Sequence, residues 1–329
     1  LGTAIHRHGI PVDPTGPDVW PPPAHPNPAV DQRVPLKVAE PATPQRGRDY
    51  TMATVPLSSV PVARDVDAVI VGGGSSGAVA GIQAGLEGLR AIVVDMNPGL
   101  GGTGTYGGIY TYWFGQQNRY AGTVLGWVNE VHDDLGLPRP EGVLARWNVE
   151  ARIWALAAQA QEAGVELLTN AIVIGAIVQD GPDHDGKERA VRGVVAATRY
   201  GPVALLGQTV IDATGDGDVA AYAGAEVQYG SAREQAVMYA YMPQVPSPGR
   251  PRNVKTSMLD VRNVEDYTRL ILAERRRRQD GDHDHGIYLA PRESRHIRGQ
   301  VKLTFTDQLV KRAWPDAVTV AFSNHDIKG

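Results

Sequence analysis

Cysteine is absent from all 329 residues. That removes iron–sulfur ligation, a thiol–disulfide redox pair and cysteinyl attachment of a prosthetic group from anything this chain does alone. Aromatic side chains make up only 6% of it, so any local concentration of them stands out. No apolar run approaches the roughly 18 residues that a membrane-crossing helix needs, and no signal-peptide core is visible. A cytoplasmic protein with no membrane span is therefore expected. An excess of positive charge is missing too. With 32 basic against 36 acidic residues the net charge is −4, and nucleic-acid binding is not expected. Metal-ligand spacing is equally lacking, and no metal is expected: His6, His8 and His25 repeat no ligand pattern. The loop carrying Asp280, Asp282 and Asp284 has His285 where a calcium-binding frame needs glycine, and Pro291 where it needs glutamate. It reads as a solvated surface loop.

Proline is unevenly spread, with more than half of the 24 falling within residues 1–61. Its fixed φ and missing N–H predict an extended arm over 1–64 that wraps a surface or a partner.

The strongest local pattern spans residues 66–108. Residues 67–71 are a short apolar run rich in β-branched side chains, which reads as a buried strand. Gly72-Gly73-Gly74-Ser75-Ser76-Gly77 follows as a GxGxxG match. Residues 78–89 are helix-compatible, 91–94 form a second apolar strand, and Asp95 ends it. A dinucleotide requires this order. One glycine permits the tight turn, one lets backbone N–H groups approach a pyrophosphate, and one lets the helix close on the sheet. An acid about 20 residues on accepts from ribose hydroxyls. The helix N-terminus adds partial positive charge. Such turns also occur simply to pack a helix on a strand, but here all five parts are in register. The unit by itself leaves FAD and NAD both open.

Two further stretches follow the same logic. Pro98-Gly99-Leu100-Gly101-Gly102-Thr103-Gly104-Thr105 is a second glycine loop. Residues 209–212 form a strand-like run into Ala213-Thr214-Gly215-Asp216-Gly217-Asp218, followed by a helix-compatible stretch over 219–225. The strings "DAVIVGGGSSGAVAG", "VVDMNPGLGGTGT", "VIDATGDGDVAAYAGA" and "PRESRHIRGQVKLTFTD" closely resemble the FAD-dependent oxidoreductase family related to the glutathione-reductase and fumarate-reductase flavoproteins. The resemblance runs from about residue 65 to the end and is specific in those four blocks.

It implies FAD as cofactor, with the adenosine at Asp95 and Met96 and the pyrophosphate over Gly72, Gly74, Ser75, Ser76 and Gly77. Gly101, Gly102 and Thr103 would line the pyrophosphate and ribityl stretch. Thr214, Gly215 and either Asp216 or Asp218 would close over the cofactor, and the backbone of Val173 would pass the adenine. Both aspartates also have a plainer role as cap and first-turn acid of the next helix. Relatives continue well past this length with a final strand and helix, so the resemblance implies a fold completed either by a second polypeptide, in an oligomeric assembly, or by a C-terminal segment missing from this sequence. Where relatives often carry Asp-Ile-His-Gly, this chain has Asp326-Ile327-Lys328-Gly329.

Residues 106–115 are the aromatic concentration. Tyr106, Tyr110 and Trp113 are candidates for a wall beside the flavin ring and the substrate, with ordinary core packing as the alternative. Helices are expected at 123–134 and 148–163, the second with Ile153, Leu156, Ala157 and Ala160 as its apolar stripe. Residues 165–168 read as another parallel strand, and 171–179, 190–198 and 203–210 as short β-rich runs. In the family, that position holds an antiparallel meander. An amphipathic helix is expected at 264–278, ending in four consecutive arginines.

The expected architecture is α/β, with a Rossmann-like FAD-binding domain of parallel sheet plus β-meander over 65–227. A second, α+β substrate domain is expected over 228–329. Flavin dehydrogenation needs a group to take a proton and a cationic or hydrogen-bonding surrounding. The densest charged signature is at residues 291–298. Arg292 and Arg295, three apart, share a face if the segment is helical and would bind a carboxylate, a pyrophosphate or a polar substrate. Glu293 or His296 would take the proton. An ion-pair network between the two domains is the alternative. The expected activity is that of a dehydrogenase or oxidase passing a hydride from a small polar organic substrate to flavin N5. Alternatives are a flavin reductase fed by NAD(P)H and a flavin-binding subunit whose catalytic groups lie on a partner chain.

Overall fold

The computed structural model describes residues 60–112, 120–137, 139, 146–180, 189–230, 240–247, 250–256, 264–265, 268–269, 271–272 and 294–317. All belong to the second of the chain's two units, Ala53–Gly329. Strand β1 (Val62–Val71) begins earlier than expected, so residues 62–64 belong to the sheet and not to the proline-rich arm. Helix α1 (Gly77–Leu86), β2 (Ala91–Asp95), α2 (Tyr120–Asp134), α3 (Val149–Glu162) and β3 (Glu166–Thr169) follow. Asn148 caps α3, its side chain accepting from Ala151 N at 3.0 Å.

Next come β4 (Ile172–Asp180), β5 (Arg189–Thr198) and β6 (Gly201–Asp212). The six strands form one sheet in the order β3-β2-β1-β6-β5-β4. The first four are parallel, and β6, β5 and β4 pair antiparallel. Burial shows why the apolar runs became strands. In β1 and β2, Ala68, Ile70, Ala91 and Val93 point to one core with Ile82 of α1 and Leu156 of α3. Their neighbours Val69, Val71, Ile92 and Val94 point to a second core with Val173, Val194 and Leu205. A period of two with both faces covered is the mark of a central parallel strand.

One expectation needs revision. The runs at 203–210 and 209–212 are a single strand, β6. It pairs with β1 from Val62↔Ala204 to Val71↔Asp212, while its first half also pairs with β5. The meander therefore grows out of the parallel sheet, and the sheet coils far enough for β4 to touch β2.

Beyond β6 lie α4 (Asp218–Tyr222), β7 (Val227–Gly230), the hairpin of β8 (Ala240–Ser247) and β9 (Arg250–Thr256), β10 (Ser294–Ile297) and α5 (Phe305–Leu309). Strand β10 pairs antiparallel with β7. Of the helix expected at 264–278, the six described residues are helical. Arg269 donates to Glu265 one turn back, at 3.0 Å. Among the described residues no helix is long and apolar enough to cross a membrane.

Candidate functional site

The C-terminal ends of β1, β2 and β6 border a cleft of about 740 Å³. From β1 the sheet runs to β2 on one side and to β6 on the other, the reversal of strand order where open α/β sheets take ligands. Gly72, at φ +91°, carries its backbone so close to the end of β6 that a Cβ would lie 2.4 Å from the Ala213 carbonyl oxygen. A Cβ on Gly77 would lie 1.7 Å from the Gly72 carbonyl oxygen. Only glycine lets α1 start directly on the strand end. Ser76 occupies the N-cap of α1 without a side-chain cap bond, and the first turn carries no acid. The amides of that turn therefore have no side-chain acceptor and suit an anion.

Asp95 is nearly buried at the end of β2. Its Oδ2 accepts from Gly73 N at 2.6 Å, and its Oδ1 from Asn97 N and Nδ2 at 2.7 and 2.9 Å. Each carboxylate oxygen accepts two bonds, so Oδ2 keeps a lone pair for a ligand hydroxyl. Met96, Asn97 and Val173 line the same cleft. Asn97 was not anticipated; its amide side chain two residues after the acid is the signal of an Asx-type turn.

Asp212, at the end of β6, was also missed. Its Oδ1 accepts from Thr214 N at 3.2 Å and from the Thr214 hydroxyl at 2.8 Å, while Oδ2 accepts from Ala220 N at 2.9 Å. The same hydroxyl accepts from Asp218 N at 3.0 Å. One carboxylate thus ties strand, turn and α4 together. An acid closing an apolar run before Ala-Thr-Gly was the available sign.

Of the expected cofactor residues, Gly72, Gly74, Ser75, Ser76, Asp95 and Met96 line the cleft, as do Gly102, Thr103, Val173, Thr214 and Gly215. Gly101 does not; its N donates to Gly73 O at 2.8 Å, joining the two glycine loops. Gly77 serves helix packing, and Asp216 is exposed outside the lining. Gly217, not Asp218, holds the N-cap of α4, with Asp218 in the first turn.

Arg295 and His296 also line the cleft. They stand on strand β10, so Arg295 does not lie on a helical face. The Arg295 guanidinium pairs with the Asp218 carboxylate, which raises the arginine's pKa further above its ordinary value. Arg292, Glu293, Trp113 and Lys328 lie outside the described residues.

A second cleft, of about 440 Å³, shares Ser75 and Thr103 with the first. Its walls include Tyr112, Tyr120, Trp147 and Arg152. Tyr106 and Tyr110 line neither. A Cβ on Gly99 would lie 2.7 Å from the Tyr106 hydroxyl, and burial first, then the charge of Asp95, raises the phenol's pKa. Tyr110 packs in a core with Val128 and Trp147. Among the described residues, the aromatic side chains lining the second cleft are Tyr112, Tyr120 and Trp147.

Residues 67–289 match the family model described as FAD dependent oxidoreductase. No curated protein matches the chain. Among solved structures, the THI4 protein of Thermovibrio ammonificans is 22% identical over 50% of this chain and 64% of its own, with a TM-score of 0.35. A geranylgeranyl bacteriochlorophyll reductase-like protein of Thermoplasma acidophilum is 19% identical over 56% and 49%, at 0.38. The myxobacterial chondrochloren halogenase CndH is 18% identical over 56% and 46%, at 0.41. This chain therefore spans less than two thirds of the length of each.

Proposed function

Because the chain belongs to the FAD-dependent oxidoreductase family, with FAD as its cofactor, we propose that the first cleft holds that FAD and that the protein is a dehydrogenase or oxidase of a small polar organic substrate. One observation carries the assignment of the cleft. The uncapped start of α1, two glycine loops in van der Waals approach and a carboxylate with a spare lone pair all border a single cavity. In this reading the amides after Gly74 hold the diphosphate, Asp95 holds ribose hydroxyls, and Thr214 and Gly215 border the remainder. When bound, FAD supplies a two-electron acceptor for a hydride. The chain's own part is to bind, orient and manage the proton. His296, exposed at the cleft, would take the proton, and Arg295 is fixed by Asp218 as a cationic border.

The test separates cofactor contact from fold. A Cβ on Gly74 would meet nothing nearer than Gly102 Cα at 4.0 Å. Gly74→Ala is expected to keep the thermal midpoint of the apoprotein while weakening FAD binding about tenfold or more, since the methyl group occupies the phosphate's approach. Equilibrium titration with FAD, followed by flavin fluorescence, reads this directly. Unchanged affinity in that variant would remove the diphosphate from the cleft.

A further inference from the structure

Among the described residues, Arg152 is a buried cation without an anion. It is 3% exposed, yet its Nε and Nη1 donate to nothing among the described residues. Its guanidinium lies over Trp147, 4.2 Å from the ring centroid, with the Tyr112 ring at 5.8 Å. It also abuts Gly104, where a Cβ would come within 3.3 Å of Cζ. Trp147 is fixed in turn by its Nε1, which donates to Gly104 O at 2.8 Å. The planar fork is therefore clamped before any ligand arrives.

Burying an ionised group without a hydrogen-bonded counter-charge is among the most costly arrangements a fold can contain. Position adds to the cost here, because Arg152 stands near the N-terminus of α3, an end already positive. The acid of that turn, Glu150, is exposed, and among the described residues no carboxylate lines the second cleft. Stacking on Trp147 offsets part of the charge but leaves Nε and Nη1 without acceptors among the described residues. The Tyr120 hydroxyl, on the same cleft, is also buried and unpartnered among the described residues. Two orphaned polar groups, one of them cationic, thus border a cavity whose other walls include Val79, Ile109 and Val124.

We propose that this second cleft is a carboxylate site. Arg152 receives the carboxylate of a small organic acid through its fork, Tyr120 supplies a further donor, and the aliphatic and aromatic walls hold the acid's apolar body. A cavity of about 440 Å³ suits a body of one ring or a short chain. The diphosphate already has a cradle of amides in the first cleft, and the apolar walls of the second suit carbon rather than phosphate. The proposal deepens the reading above by naming the substrate class, and it rests on that reading only for the acid's role as substrate.

The experiment titrates the FAD-loaded protein with benzoate, and with benzamide as its uncharged isostere, following tryptophan fluorescence and perturbation of the flavin absorbance band. Benzoate is expected to bind at least about tenfold more tightly than benzamide, and Arg152→Gln to abolish that preference while FAD affinity stays within about twofold. Arg152→Lys, which keeps the charge but loses the planar fork, is expected to fall between. Equal binding of the two probes by the wild-type protein, or no binding of either, overturns the proposal without any variant having to fold. A variant that loses FAD while benzoate binding persists also overturns it and gives the guanidinium to the cofactor's phosphates. If the protein binds no FAD, the functional reading fails, but tryptophan fluorescence still reports benzoate against benzamide.

Discussion

Asp212 shows how much one carboxylate can organise. It accepts three hydrogen bonds, two from Thr214 and one from Ala220, so the turn bordering the cleft keeps its shape only while both oxygens accept. Asp212→Asn replaces one acceptor with an amide N–H that faces another N–H. The expected cost is about 1–3 kcal/mol, because a part-buried donor loses its partner. Urea denaturation reads the global loss, and hydrogen exchange at Ala220 reads the local one. An unchanged midpoint together with an unchanged Ala220 rate would show that α4 is held by something else. Arg152 is the second residue of this kind. It was invisible in the sequence because a cation on a helix is ordinarily solvated. Its mark was periodic: Arg152, Ala155 and Leu156 stand at i, i+3 and i+4, and all three are buried.

Helix α5 is too short to persist on propensity and depends on its ends. Thr304 and Asp307 form a reciprocal capping box, each side chain accepting from the other's backbone N–H. The Thr304 hydroxyl, donating to Asp307 Oδ2 at 2.7 Å, together with the Thr304 backbone N–H and then Arg312, pushes the Asp307 carboxyl down from 3.8 to about 2. A lowered folded-state pKa means the cap's contribution is complete above the ordinary value and is lost as pH falls through about 2. Exchange protection of the α5 amides should hold at pH 4 and vanish toward pH 2, and Asp307→Asn should remove that dependence. A wild-type carboxyl titrating near 4 by NMR would mean the box does not form in solution.

Elements also show what the sequence could express. The unit from β1 through α1 and β2 to Asp95 was legible because each part is local: an apolar run, a glycine turn, a helical stretch and an acid in register. Strand β6 was read as two runs, since a strand that changes partners along its length carries no mark of its unity. Arg295 was considered for a helical face shared with Arg292, whereas it stands on Ser294–Ile297, whose strand partner, Val227–Gly230, lies far upstream. Pairing at such distance leaves no periodic trace beside the residues themselves.

At the level of the whole molecule, the first cleft exists only where β1 and β6 lie side by side. Val69 pairs with Val210, roughly 140 residues later, whereas the β4–β5 hairpin joins near neighbours such as Ile177 and Gly193. Loop closure over that span is slow compared with hairpin formation. During refolding, the amides of Val194 and Val195 should gain protection early, while those of residues 69–71 and 210–212 gain it later, in the same phase as FAD uptake. Pulse-labelling hydrogen exchange beside stopped-flow flavin fluorescence follows both, and flavin capture ahead of β1–β6 protection would break the link. A ribosome extending this chain therefore exposes the glycine turn long before it delivers the strand that completes the nest. Until Asp212 has emerged and docked, the nascent polypeptide has half a grip and nothing to hold with it.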